Sequence, residues 1–97
     1  MLGLAGAAGF VLVSPASGAS TGNKVHNCYG IYFTRDWNQE CNSSGAAYEG
    51  NYKTTADCTA PQIPDKSLTK YRFKGDKTSH DGSDCQYGIH SANTVYW

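Results

Sequence analysis

A chain of 97 residues with 8 basic and 8 acidic side chains is formally neutral and long enough for one small domain. That balance argues against a general nucleic-acid binder, which needs a strong basic excess, and supplies no attraction to an anionic membrane. The strongest constraint is four cysteines in so short a chain, Cys28, Cys41, Cys58 and Cys85.

The chain opens on an apolar run from Leu2 to Val13, the length of a secretory-signal core and too short to span a bilayer. Pro15 and small residues follow, and Ser17-Gly18-Ala19 predicts cleavage after Ala19, so residues 1–19 read as a leader and 20–97 as one secreted domain. No Lys or Arg precedes the apolar run, a gap that a start codon placed too far downstream accounts for. A secreted chain meets an oxidising space, where an even cysteine count predicts two disulfides. A domain of this size buries a small core and relies on such staples.

Tyr29 to Thr34 is aromatic and β-branched, with Tyr29, Ile31 and Phe33 on one face, and predicts a strand. Arg35 to Cys41 is polar and reads as a loop leading back to a second strand, and Asn42 to Gly45 as a turn. In Ala46 to Thr55, Gly50-Asn51 favours a bulged strand or hairpin turn. Pro61 and Pro64 make Thr59 to Lys66 a connecting loop, since neither can donate to a ladder. Ser67 to Lys74 alternates, with Leu68, Lys70, Arg72 and Lys74 on one face and Ser67, Thr69, Tyr71 and Phe73 on the other. Gly75 to Asp84 reads as a long turn containing a hairpin signal at Asp81-Gly82. Cys85 to Ile89 and Asn93 to Trp97 supply closing strands. The sum is an all-β domain of five to seven short antiparallel strands, a sandwich or small barrel. A shared Tyr-Gly-Ile at residues 29–31 and 87–89 points to glycines that admit close backbone approach.

Four cysteines allow three connectivities. Sequential pairing, Cys28–Cys41 and Cys58–Cys85, flanks hairpins and suits antiparallel neighbours; each bridge is worth about 3 kcal/mol by chain entropy. A short secreted β domain with a close first cysteine pair and a wide second pair resembles the tendamistat-type α-amylase inhibitors. The resemblance implies a two-disulfide β-sandwich with sequential pairing and a partner-binding loop between the first two cysteines. That family presents Trp-Arg-Tyr there. Here the loop carries Arg35-Asp36-Trp37, with Arg and Trp in reversed order around an Asp and no adjacent Tyr.

Arg35, Asp36 and Trp37 are therefore the candidate partner-binding residues, since Trp and Arg dominate interface hot spots. Two readings of Trp37 stand open, an exposed anchor on a loop held by the first disulfide, or a ring folded back to cap a small core. Tyr29, Tyr32, Tyr48, Tyr52, Tyr71, Tyr87 and Tyr96, with Trp37 and Trp97, are either an aromatic platform for sugar rings or ordinary strand formers. Histidine is the side chain suited to proton transfer near neutral pH, so His26, His80 and His90, with Glu40, Glu49 or Arg35, are the material for acid–base catalysis such as RNA cleavage, although their spacing shows no convergence. His-x-x-x-His and Cys-x-x-Cys are absent, so no zinc site is expected. Asp76, Asp81 and Asp84 lack EF-hand spacing and read as a turn rather than a calcium loop. The expectation is a secreted, non-enzymatic binding protein without cofactor or metal, an inhibitor of an extracellular hydrolase. A small ribonuclease or toxin, and an adaptor pairing through exposed strand edges, are the alternatives.

Overall fold

The structure, a computed structural model, describes residues 18–59 and 64–97. The predicted leader, apart from Gly18 and Ala19, and residues 60–63 of the predicted Thr59 to Lys66 loop fall outside those residues. The described chain is all β. Its strands are β1 (Ser20–Thr21), β2 (Cys28–Tyr32), β3 (Trp37–Cys41), β4 (Gly50–Cys58), β5 (Lys66–Arg72), β6 (His80–Asp81) and β7 (Ile89–Tyr96). One sheet runs β1-β2-β3-β6 and the other β5-β4-β7, every neighbouring pair antiparallel.

Period-two alternation sends one face of the longer strands between the sheets. β4 shows it most clearly, with Tyr52, Thr54, Ala56 and Cys58 buried and Asn51, Lys53, Thr55 and Asp57 facing outward. The interior is layered. At one end Cys28, Ala46 and Tyr52 pack with Cys41 and Tyr96; at the other Trp37, Ala56, Cys58 and Cys85 pack with Tyr32, Leu68 and Ile89. Each small apolar cluster is thus built around one disulfide, and both bridges are the sequential ones, Cys28–Cys41 and Cys58–Cys85. Cys28 and Cys41 sit opposite each other in the β2–β3 ladder.

Between the clusters lies a polar layer of Gln39, Thr54, Thr94 and Arg72, all buried. Arg72 Nε donates to Gln39 Oε1 at 2.9 Å, and Gln39 Nε2 donates to the Tyr52 carbonyl and to Thr54 Oγ1, 2.9 Å each. The Thr54 and Thr94 hydroxyls share a hydrogen bond at 2.9 Å. Gly30 completes this layer: a Cβ there would lie 2.8 Å from Thr54 and 2.9 Å from Ala92, so only hydrogen allows the sheets to approach.

Three sequence expectations change. Trp37 to Cys41 is a strand, not a loop; its inward positions are Trp37, Gln39 and Cys41, and the buried glutamine hides the alternation. Asp81-Gly82 is not a hairpin turn, because His80 and Asp81 pair with Gln39 and Asn38 as the edge of the first sheet. Cys85 to Gly88 is irregular, and Ile89 to Tyr96 forms a single strand with a register shift opposite Asp57 and Cys58.

Candidate functional site

The β2–β3 hairpin closes through Phe33 to Asp36, where Phe33 N–H donates to the Asp36 carbonyl at 2.9 Å. Neighbouring groups stitch this turn to the segment before β7. Cys85 N–H donates to the Arg35 carbonyl at 3.0 Å, Ile89 N–H to Thr34 at 3.0 Å, and Gly82 N–H to Trp37 at 2.9 Å. The Trp37 indole N–H adds a 2.6 Å bond to the Ser83 carbonyl. Cys58–Cys85 ties that same segment to β4. The turn is therefore held from outside its own hairpin, and by the second disulfide rather than the first.

Trp37 is only 1 % exposed, which decides between its two readings. It caps the core rather than standing as an exposed anchor. The correction has a local cause: strand alternation at β3 turns Trp37 inward with Gln39, and Gly82 lies flat against the indole. A Cβ at position 82 would sit 2.2 Å from ring carbons of Trp37. Gly82→Ala is accordingly expected to destabilise the domain by about 1–3 kcal/mol, the cost of overpacking, measurable by thermal unfolding with disulfides intact. An unchanged melt would show that the ring is not packed against this backbone.

Arg35 and Asp36 stay exposed. Beside them opens a cleft of about 370 Å³ lined by Phe33, Asp36, Trp37, Asn38, Asp81, Gly82 and Asp84. Three of these seven are carboxylates. With its amide turned so that nitrogen faces the neighbouring acceptors, Asn38 Nδ2 donates to Asp81 Oδ1 at 2.8 Å. The Asp84 pKa is raised above its ordinary value, first by lost hydration, then by the Asp36 charge and a hydrogen bond to Asp36, with Arg35 opposing. Chemically the cleft is an attractor for a cationic group, bordered by one exposed arginine. Asp81 and Asp84 were legible only as a solvated turn, because their approach to Asp36 is made by long-range pairing that leaves no local pattern. Among the described residues no group of three His, Cys, Asp or Glu side chains is arranged to hold a metal ion.

The three histidines occupy separate elements. His26 and Asn27, at φ 47° and 75°, form the two-residue turn between Val25 and Cys28. The His26 ring is gripped edge-on by Tyr48 and Tyr96, with centroids at 4.5 and 4.6 Å. His80 sits in β6, its pKa lowered by burial and then by the charges of Arg72 and Lys70. His90 is exposed on β7. Comparison with protein-family models, with curated proteins and with solved structures finds no match to this chain.

Proposed function

We propose that this protein is a secreted binding protein that inhibits an extracellular hydrolase, docking through Arg35, Asp36 and the acidic cleft beside them. The observation that carries the reading is an exposed, charged turn whose backbone is fixed by hydrogen bonds to a disulfide-anchored segment. A surface ordered before contact loses little entropy on docking, which is what a tight inhibitor needs. Two disulfides are compatible with an oxidising compartment. No helix among the described residues is long and apolar enough to cross a membrane. The sequential cysteine pairing is also that of the tendamistat-type inhibitors, but with Trp37 in the core the contact proposed here is electrostatic, a basic side chain of the target entering the cleft.

The test is titration of the oxidised protein into assays of secreted α-amylases and secreted proteases. Inhibition of one enzyme class with a stoichiometric end point is expected. Arg35→Ala and Asp36→Ala should each weaken it about thirtyfold, the hot-spot scale, with the melting temperature unchanged because both side chains are exposed. Inhibition by the parent protein should also strengthen as pH rises through the raised Asp84 pKa, since ionising that carboxyl adds negative charge facing the basic group. Activity of both enzyme classes untouched at saturating protein, or inhibition indifferent to Arg35 and Asp36, sinks the reading.

A further inference from the structure

We propose that the outer face of the β5-β4-β7 sheet is a second binding site, independent of the Arg35 surface, for a neutral polysaccharide in an extended, β-1,4-linked form. Register sets its layout. Tyr71, Asn51 and Trp97 form one row across the three strands, and Thr69, Lys53 and Val95 form the next. Beyond them runs a third row of hydroxyl and amide side chains. Tyr71 is 55 % exposed and Trp97, which follows the last residue of β7, is 59 % exposed. They stand two strand spacings apart, about 10 Å.

The rings are placed rather than loose. The Tyr71 hydroxyl donates to Glu49 Oε2, and its ring meets Phe73 edge-on with centroids 5.6 Å apart. Trp97 exchanges both backbone hydrogen bonds with Asn51, at 3.0 and 3.1 Å. Between the rings lies the Asn51 amide, with the Lys53 ammonium in the next row, and the Glu49 carboxylate at the edge of the face accepts from the Tyr71 hydroxyl. Aromatic faces set beside amide, ammonium and carboxylate hydrogen-bonding groups match a sugar ring, which has apolar C–H faces and a rim of hydroxyls. An extended chain fits the layout, because the two rings stand at opposite edges of one sheet face with ladder side chains between them.

The size of the face argues against a second copy of this chain as occupant. Three strands about 4.8 Å apart and seven residues of about 3.3 Å span on the order of 300 Å². A stable protein interface removes about 800 Å² per partner and has an apolar centre, whereas the centre here is Asn51 and Lys53.

Isothermal titration of the intact oxidised protein with cellohexaose, chitohexaose and xylohexaose, against maltohexaose as the helical control, tests the proposal. At least one β-1,4 hexaose should bind at millimolar concentration or below, and more tightly than maltohexaose. Tyr71→Ala and Trp97→Ala should each weaken it about tenfold, with unchanged melting temperature. Arg35→Ala should leave it intact, so failure here and failure of the inhibitor reading are separable. The proposal is overturned if none of the three hexaoses binds, if maltohexaose binds equally, or if binding ignores Tyr71 and Trp97. It is equally overturned if sedimentation shows a dimer that those two substitutions dissociate.

Discussion

Trp37→Ala is expected to remove about 3–5 kcal/mol of unfolding free energy, as for other buried aromatics. With about 4–8 °C per kcal/mol in a domain of this size, the melt should fall by at least about 12 °C. The indole is the largest side chain in its cluster, and its neighbours Ala56, Cys58 and Cys85 are too small or too constrained to refill the space. The damage would spread, because Gly82 rests on the ring and the 82–89 segment holds the Arg35 turn. A loss this large approaches the whole margin of a small domain, so Trp37→Phe is the companion variant. It keeps an aromatic ring but not the donor to Ser83, and should cost about 1–3 kcal/mol for the orphaned carbonyl. If Trp37→Ala instead melts within about 2 °C of the parent, the ring is not a core element in solution. An exposed anchor beside Arg35 would then become the better account.

Much of the architecture was legible because it rests on local pattern. The alternation at Ser67 to Lys74 became β5, the aromatic run at Tyr29 became β2, and the cysteines paired in sequence as hairpin neighbours should. What alternation does not say is which face turns inward. In β5 the face carrying Leu68, Lys70 and Arg72 is the inner one and Tyr71 is outside, the reverse of what hydropathy suggests. The cause lies on other strands: Gln39 offers Arg72 a carbonyl acceptor that no reading of β5 can reveal. The same holds for the site. Arg35 and Asp36 were found from residue type, but Asp81 and Asp84 join them only through the β3–β6 pairing. Gly82 looked like a turn former and proves to be a packing glycine, a distinction set by Trp37 far away in sequence.

The polar layer should be the most strongly coupled part of the molecule. Arg72→Met leaves the Gln39 Oε1 acceptor without its donor in the core, and Gln39→Leu leaves the guanidinium with only the backbone carbonyl of residue 39 and Asp76; each is expected to cost about 1–3 kcal/mol. The double variant Gln39→Leu with Arg72→Met leaves neither group alone, so it should be less destabilised than the two singles added, by at least about 1 kcal/mol. Chemical denaturation of the four proteins measures this cycle, and additive losses would mean that the two side chains do not interact. Acid supplies a second readout. The Asp76 carboxyl is held below its ordinary pKa of 3.8, first by the Thr78 backbone N–H and also by Arg72, whose NH1 lies 3.6 Å from Asp76 Oδ2. A carboxylate whose folded pKa is depressed stabilises the fold above its unfolded value and loses that contribution as pH falls through the folded one. Stability should therefore drop as pH is lowered from about 4, and Asp76→Asn should flatten that limb while weakening the domain at neutral pH. Arg72 NH1 is buried and makes no hydrogen bond, so Asp76 is the counter-charge that keeps a guanidinium tolerable between two small apolar clusters. If Asp76→Asn leaves the acid limb unchanged, the ion pair contributes nothing and Gln39 alone must hold the arginine in place.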